Sequence, residues 1–192
     1  MDTDGNLTEY PLSPGDSPTG LVAGPDGALW FALGPNAIGR IDADGTVTRI
    51  AVPAELGVRQ APHALTFDLD GNLWFFRGVA LVRMTPEGDF SRFPLSWAYG
   101  LGPDDDPTVE GIRSMTAAPD GGLWFAILDR DALGRVSPAD GSSALFPVTA
   151  WTAPTSVVVG PDGNLWFTES GGFSRGYWMD VKDPVPSAIG RR

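Results

Sequence analysis

Short apolar runs recur along the chain at a nearly constant interval, each introduced by an acidic residue followed by glycine. Four such segments share a Leu-Trp-Phe run: GPDGALWFAL, DLDGNLWFFR, APDGGLWFAI and GPDGNLWFTE. Their tryptophans, Trp30, Trp74, Trp124 and Trp166, are spaced 44, 50 and 42 residues apart. Apolar runs of this length between Asp-Gly turns are typical of strands, so the pattern predicts a repeated all-β unit.

Two further motifs recur in phase with the Leu-Trp-Phe run. One reads AIGRI, ALVRM, ALGRV or AIGRR, and the other reads DGNLTEYPL, DGTVTRIAV, EGDFSRFPL or DGSSALFPV. The best-formed copy predicts four strands, at residues 20–23, 28–33, 37–41 and 47–52. A four-stranded unit of about 40–45 residues is the signature of a β-propeller blade. The sequence therefore predicts one all-β domain over 1–192, with four blade repeats at approximately 1–40, 41–83, 84–135 and 136–192.

The phase of the repeats also bears on the two ends of the chain. The chain opens with a predicted outermost strand at residues 7–11 and stops after the third strand of the fourth unit. In a closed ring this first strand would complete the fourth blade and leave no open sheet edge. The same phase fits half of a ring shared by two chains, or a slice of a longer array.

Composition and charge narrow the expected partners. Seven tryptophans and 42% hydrophobic residues indicate a folded core, and 25 glycines with 18 prolines indicate many turns. The net charge of −11 disfavours nucleic acid and anionic membranes as partners. The absence of cysteine excludes disulfides and thiol catalysis. The N-terminus shows no signal-peptide pattern and no apolar run reaches 18 residues, so a cytoplasmic location is the default expectation.

The repeat motifs carry a resemblance to a known family. GPDGNLWFTE at 160–169, AIGRI at 37–41 and DGNLTEYPL at 4–12 resemble the virginiamycin B lyase family, and the likeness covers nearly all of the chain outside two insertions. The resemblance implies a propeller fold. In that family the activity is elimination that opens streptogramin B antibiotics, with a histidine base and a magnesium ion. The known enzymes are similar to a seven-bladed ring, whereas this chain supplies four units.

Two long connections point to a candidate ligand-binding face. Blade geometry places the second connection of each blade, and the connection between blades, on one side of the array. The insertions at 96–112 and 170–187 both fall there. They contain five aromatic residues, of which Trp97, Tyr99, Tyr177 and Trp178 are candidates for ligand contact and the fifth is Phe173. Long loops on a rigid scaffold commonly carry binding sites. We therefore expect a small-molecule or peptide site on this face; alternatively, the two loops fold over the channel mouth and cover it.

His63, in the segment APHALT, is predicted at the entry to an inner strand on the same face. A neutral imidazole near pH 7 can act as a general base, and the resemblance implies that this one faces a ligand. The alternative is a histidine that hydrogen-bonds across the channel mouth. Arg77, Arg113 and Glu169 are further candidates for ligand contact.

The family's metal-holding glutamates have no full counterpart around His63. The corresponding positions are Ala61 and Arg77, while Glu169 matches one of them in a blade that carries Thr155 in place of histidine. The positive charge of Arg77 would repel a magnesium ion at this position. We therefore expect Mg²⁺ as a cofactor only under the lyase hypothesis.

Three functional hypotheses follow from these residues. The preferred one is a binding propeller for a small molecule or peptide on the His63 face. The rival is a Mg²⁺-dependent carbon–oxygen lyase that inactivates streptogramin B antibiotics with His63 as the catalytic base, formed by one chain or assembled from two copies. The third is a fragment of a longer propeller without independent activity.

Overall fold

The structure is a computed structural model that describes residues 3–56, 61–78, 80–93, 95, 111–149, 152–170 and 188–191. These residues form four antiparallel sheets in which the strands follow one another in chain order. The first sheet contains β1 (Pro18–Ala23), β2 (Leu29–Leu33), β3 (Ala37–Ile41) and β4 (Val47–Ala51). The second contains β5 (His63–Phe67), β6 (Leu73–Arg77), β7 (Ala80–Met84) and β8 (Phe90–Phe93). The third contains β9 (Ile112–Ala117), β10 (Leu123–Ile127), β11 (Ala132–Val136) and β12 (Ser143–Pro147), and the fourth contains β13 (Pro154–Val159), β14 (Leu165–Glu169) and β15 (Ala188–Arg191).

This arrangement confirms the predicted all-β propeller architecture, with one sheet per blade. The first strands of the four sheets, β1, β5, β9 and β13, pack against one another in series. The predicted strands of the first blade agree with the observed ones to within two residues. β1 begins earlier than expected because Pro18 and Thr19 also pair with β2, opposite Leu33 and Ala32.

The acidic-glycine turns have the local chemistry that the sequence predicts. The eight turn glycines (Gly5, Gly27, Gly45, Gly71, Gly88, Gly121, Gly141 and Gly163) all have φ between 71° and 92°, a conformation that glycine adopts at little cost. In the first connection of three blades, the aspartate also accepts a hydrogen bond from the backbone N–H two residues later. These turns, which lie together on what we call the turn face, need no ligand to explain their composition.

The Leu-Trp-Phe run joins successive blades because neighbouring side chains in a strand point to opposite faces of the sheet. We call the two faces of each blade its Trp face and its Phe face. The Trp face of each blade packs against the Phe face of the next, giving three junctions. The first joins Trp30 and Ile38 to Leu73 and Phe75, the second joins Trp74 and Phe76 to Leu123 and Phe125, and the third joins Trp124 and Leu133 to Leu165 and Phe167.

The recurring arginines of the third strands also have mainly structural contacts. Arg40 pairs with Asp26 at 2.8 Å and Arg135 pairs with Asp120 at 3.0 Å. Arg83 differs, since its guanidinium lies over the rings of Trp74 and Phe93, 5.8 and 5.3 Å from their centroids. The side chain of Arg191 lies outside the described residues.

The N-terminal segment differs from the expectation that it completes the fourth blade. Residues 5–13 form no strand, and the fourth sheet has three strands in the part of the chain that is described. Leu12 instead packs against Phe31, Leu33 and Ala37 on the Phe face of the first blade. Among the described residues, β13 does not pack against β1 in the way that successive inner strands pack against each other. The fourth sheet therefore does not lie next to the first blade, where the N-terminal segment is placed. Within the described residues, no helix is long and apolar enough to cross a membrane.

Candidate functional site

The four inner strands begin with the same irregularity. Their pairing with the second strand shifts register between Thr19 and Leu21, between His63 and Thr66, opposite the segment from Phe125 to Ile127, and between Pro154 and Ser156. A bulge at the edge of a sheet redirects the adjoining side chain. The residues at this position are Thr19, His63, Arg113 and Thr155, and the side of the array that carries them is called the rim face.

His63 is half-buried at the start of β5, and its ring stacks on Phe76 with centroids 5.9 Å apart and an interplanar angle of 30°. Its Nδ1 lies 3.3 Å from the carbonyl oxygen of Ala61. A carbonyl can only accept, so this hydrogen bond requires the proton on Nδ1 and leaves Nε2 as an acceptor in the neutral ring. Burial lowers the pKa of His63 below its ordinary value of 6.5, although the bond to Ala61 opposes the shift. The imidazole is therefore neutral at pH 7.

Backbone strain is concentrated on the rim face. Among the described residues, positive φ outside glycine occurs at Ala64 (50°), Asp131 (45°) and Ala153 (46°). Ala64 lies in the bulge directly after His63. Asp131 and Ala153 lie in the connections at the third junction, where the Asp131 carboxylate accepts the Ala153 N–H at 2.9 Å. Left-handed residues other than glycine cost free energy and cluster at functional sites, which singles out this face as the candidate site.

Arg77 is at the end of β6 and is 1% exposed. It points into the first junction, where its guanidinium donates to the carbonyl oxygen of Pro53 at 2.6 Å and to the side-chain oxygen of Asn36 at 2.7 Å. Its Nε has no partner among the described residues. Burial lowers the pKa of the Arg77 guanidinium, and the charge of Glu55 opposes that shift. The observed contacts of Arg77 therefore join the first blade to the second.

Glu169 is at the end of β14 and is 9% exposed. Its carboxylate accepts a hydrogen bond from the Thr152 hydroxyl at 2.6 Å. Glu169 occupies the same strand position in the fourth blade as Arg77 in the second, two residues after the phenylalanine of the Leu-Trp-Phe run. Both side chains thus lie on Phe faces, at two different junctions.

The structure brings two of the predicted ligand residues to equivalent places on adjacent strands. His63 on β5 and Arg113 on β9 both lie at the bulge position, and these two inner strands pack together. Arg113 is exposed. The predictions for Trp97, Tyr99, Tyr177 and Trp178 fall outside the described residues. The anchors of their two connections, at residues 95 and 111 and at residues 170 and 188, lie on the rim face.

Two features of the rim face are absent from the sequence-based prediction. Phe76 supports the imidazole of His63 and packs edge-on against Phe125 at 5.1 Å, so the ring platform continues into the second junction. The hydroxyl of Ser114 lies 3.1 Å from both the N–H and the carbonyl oxygen of Val157, which couples β9 to β13. A sequence signal exists for the second, since Ser114 is polar where the first two blades have Gly20 and Ala64.

The described residues do not fit a magnesium site of the kind that the resemblance implies. No group of three His, Cys, Asp or Glu side chains in the described part of the chain could hold a metal ion. The backbone oxygen of Ala61 already accepts a hydrogen bond from the imidazole of His63. On the adjacent strand, Arg77 carries a buried positive charge. Magnesium is bound through carboxylates, which are missing at both places.

Three cavities of similar size lie on the turn face, one at each junction. Their volumes are about 480, 450 and 420 Å³ at the first, second and third junctions. The second is lined by charged residues of the turns, Asp68, Asp70 and Asp120, and of the third strands, Arg83 and Arg135. Because the cavities recur at equivalent places, blade packing accounts for them and they do not mark a specific site.

The repeated blades, the shared bulge and the lone imidazole define a β-propeller with a candidate ligand-binding rim. The sequence model of the virginiamycin B lyase family matches residues 1–102, more than half of the chain. The chain belongs to the virginiamycin B lyase family, which confirms the resemblance carried by its repeat motifs.

Individual relatives agree with this assignment. The chain is 35% identical over 170 residues to a virginiamycin B lyase of Nocardia farcinica, covering 86% of this chain and 53% of that protein. It is 47% identical over 49 residues to a virginiamycin B lyase of Bordetella parapertussis, covering 24% of this chain and 16% of that one. The solved virginiamycin B lyase of Staphylococcus aureus superposes with a TM-score of 0.70 at 24% identity, covering all of this chain and 61% of that one. The chain therefore spans about half the length of its Nocardia relative.

Proposed function

We propose that this propeller binds a small molecule or peptide at the rim face, with His63 as the central contact. The ligand class that its relatives support is the streptogramin B antibiotics. A Staphylococcus aureus virginiamycin B lyase, described as catalytically inactive and solved with quinupristin, superposes on this chain with a TM-score of 0.72 at 24% identity. Quinupristin is therefore the probe of choice.

The state of His63 is the observation that carries the proposal. Its Nδ1–H is engaged by Ala61, its ring rests on Phe76, and its Nε2 is left as an acceptor at neutral pH. On the adjacent inner strand, the exposed Arg113 supplies a positive charge and several N–H donors. The rim thus offers an acceptor on one inner strand and a cationic donor at the equivalent position of the next, a combination suited to the amide and carbonyl groups of a peptide-like ligand.

Quinupristin titration followed through the histidine resonances tests this proposal. His63 is the only histidine of the chain, so its ring signals need no assignment by mutation. We expect quinupristin to shift those signals, and His63→Ala to weaken binding by about tenfold or more in calorimetry, the loss of one good hydrogen bond. Thr155→Ala, at the same bulge position of the fourth blade, is the matched control and should change the affinity less. Unshifted histidine signals at saturating quinupristin would overturn the proposal.

The rival function, elimination, has a separate readout. His63 has the neutral state that a general base needs, but the described residues lack the carboxylates that would hold magnesium. We therefore expect quinupristin to be recovered unchanged by chromatography after incubation with the protein and Mg²⁺. A ring-opened product that disappears in EDTA and in His63→Ala would instead establish the lyase reaction.

A further inference from the structure

The second blade departs from the repeat at the residue that follows the Leu-Trp-Phe run. That residue is Phe76 in the second blade, whereas the same position carries Ala32, Ala126 and Thr168 in the other three. His63, the only histidine of the chain, lies directly opposite Phe76 in the pairing of β5 with β6. The blade that brings an imidazole to the rim face is thus also the blade that carries an aromatic ring behind it.

The register of the two strands brings the imidazole and the phenyl ring into contact. Directly opposed residues of an antiparallel pair have Cβ atoms about 5 Å apart, so their side chains interact. The pairing resumes at Thr66 and Trp74, and β5 therefore has one more residue than β6 between the two pairs. That bulge contains Ala64, with φ of 50°. His63 thus keeps a cross-strand partner in Phe76 at the point where the regular pairing is interrupted.

Phe76 is held in place from its other side. It is 0% exposed and packs edge-on against Phe125, with ring centroids 5.1 Å apart and an interplanar angle of 70°. Both rings belong to the apolar cluster of the second junction, together with Trp74 and Leu123. Because such a core is closely packed, Phe76 forms a fixed support, and the half-buried imidazole of His63 rests on it.

The hydrogen bond of His63 is too weak a constraint to orient the imidazole by itself. The distance from its Nδ1 to the carbonyl oxygen of Ala61 is 3.3 Å, longer than the usual 2.7–3.2 Å of an N–H···O bond. The stacking on Phe76, at 5.9 Å between centroids and 30° between planes, restricts the ring to one plane. Within that plane the carbonyl of Ala61 favours the orientation that brings Nδ1–H toward it.

We propose that Phe76 is the positioning residue for His63, because its ring fixes the plane in which Nδ1 meets Ala61 and Nε2 faces the ligand. The ligand group that meets Nε2 is then an N–H or O–H donor. The part of this inference that concerns the ligand rests on the proposed function. The orientation of the imidazole can be measured without a ligand.

Ring nitrogen chemical shifts of ¹⁵N-labelled His63 test the positioning role. In the wild type we expect mainly the Nδ1–H tautomer at neutral pH. Phe76→Leu should mix the two tautomers and raise the pKa of His63 toward 6.5, because the released ring is better hydrated. Among the described residues, the charged groups on the strands packed against β5 are Arg77 and Arg113, and the substitution leaves both in place.

Phe75→Leu is the matched control. Phe75 is adjacent in sequence and also 0% exposed, but it points to the other side of the sheet, into the first junction. This variant should lose comparable stability and leave the tautomer and the pKa of His63 unchanged. Equal changes in both leucine variants, or no change in Phe76→Leu, would overturn the positioning role. If circular dichroism shows Phe76→Leu to be unfolded, Phe76→Met repeats the test with a side chain that fills irregular gaps.

Quinupristin calorimetry with the same variants tests the consequence for binding. Phe76→Leu should weaken the affinity by about threefold, a part of the loss expected for His63→Ala, and Phe75→Leu should leave the affinity within error of the wild type. An affinity unchanged in Phe76→Leu while its tautomer changes would overturn the assignment of Nε2 as the ligand contact. Absence of quinupristin binding to the wild type would overturn the proposed function alone, because the tautomer measurement needs no ligand.

Discussion

The second junction and the open Phe face of the first blade are built from the same sequence positions in different surroundings. Phe125 and Leu123 are both 0% exposed in the junction, while Phe31 and Leu29 are 6% and 43% exposed at the end of the array. This difference shows that a single blade supplies two apolar sheet faces, and that these faces become a buried core only when a neighbouring blade packs on them. Each blade gains its stability from its neighbours, as in other repeat architectures.

Truncating the buried phenylalanine should have the largest effect. Phe125→Ala removes a ring from the centre of the second junction and should lower the free energy of unfolding by about 3–5 kcal/mol. Phe31→Ala should lower it by less, because its ring borders an open groove of about 380 Å³ that Tyr10, Leu12 and Leu21 also line. Urea denaturation of both variants, at the same protein concentration, measures the difference. Equal losses would show that the end face is as well packed as the junction.

Adding a methyl group beside the same two rings gives a smaller contrast. A Cβ at Gly134 would collide with the ring of Phe125, and one at Gly39 would collide with the ring of Phe31. Gly134→Ala should cost about 1–3 kcal/mol, because the fully buried ring has nowhere to move. Gly39→Ala should cost less, because Phe31 can shift into the open groove. Thermal unfolding followed by near-ultraviolet circular dichroism would reveal the reverse order if this reasoning fails.

The guanidinium of Arg77 should also contribute through its partners. Arg77→Met keeps much of the volume but leaves Pro53 and Asn36 without their donor, and we expect a loss of about 1–2 kcal/mol of unfolding free energy. The matched variant Arg113→Met, at an exposed position, should stay within about 0.5 kcal/mol of the wild type. An Arg77→Met protein as stable as the wild type would show that this buried cation joins the two blades at no net gain.

The smallest effect is expected from protonation of His63, which rests on the edge of the second junction. Its pKa in the folded chain is lowered by burial, so the unfolded chain binds the proton more tightly. Stability should therefore fall as the pH drops below about 6.5, and the fall should level off below the folded-state pKa. His63→Gln should remove this part of the pH dependence. A stability profile that is identical in wild type and variant would indicate that the imidazole is solvated.

Much of the fold follows from local sequence, whereas the site depends on relations between blades. Asp-Gly turns and alternating apolar residues determine the strands and the two blade faces, because both act over a few residues. The same alternation is sufficient to predict that Arg77 and Glu169 lie inside junctions, because each lies two residues after a Phe-face phenylalanine and so points to the same side of its sheet. The position of residues 5–13 depends on how the fourth blade lies relative to the first, which no local pattern reports. The stacking of His63 on Phe76 likewise depends on the bulge at Ala64.

The bulge shared by the four inner strands lets the residue at its start vary while the pairing of the strands stays the same. Because the irregularity is the same whether threonine, histidine or arginine occupies it, each blade can exchange that single side chain without disturbing its own pairing. If the proposed binding function holds, ligand selectivity at the rim face can change by one residue at a time, while the packed tryptophans and phenylalanines of the blade junctions stay the same.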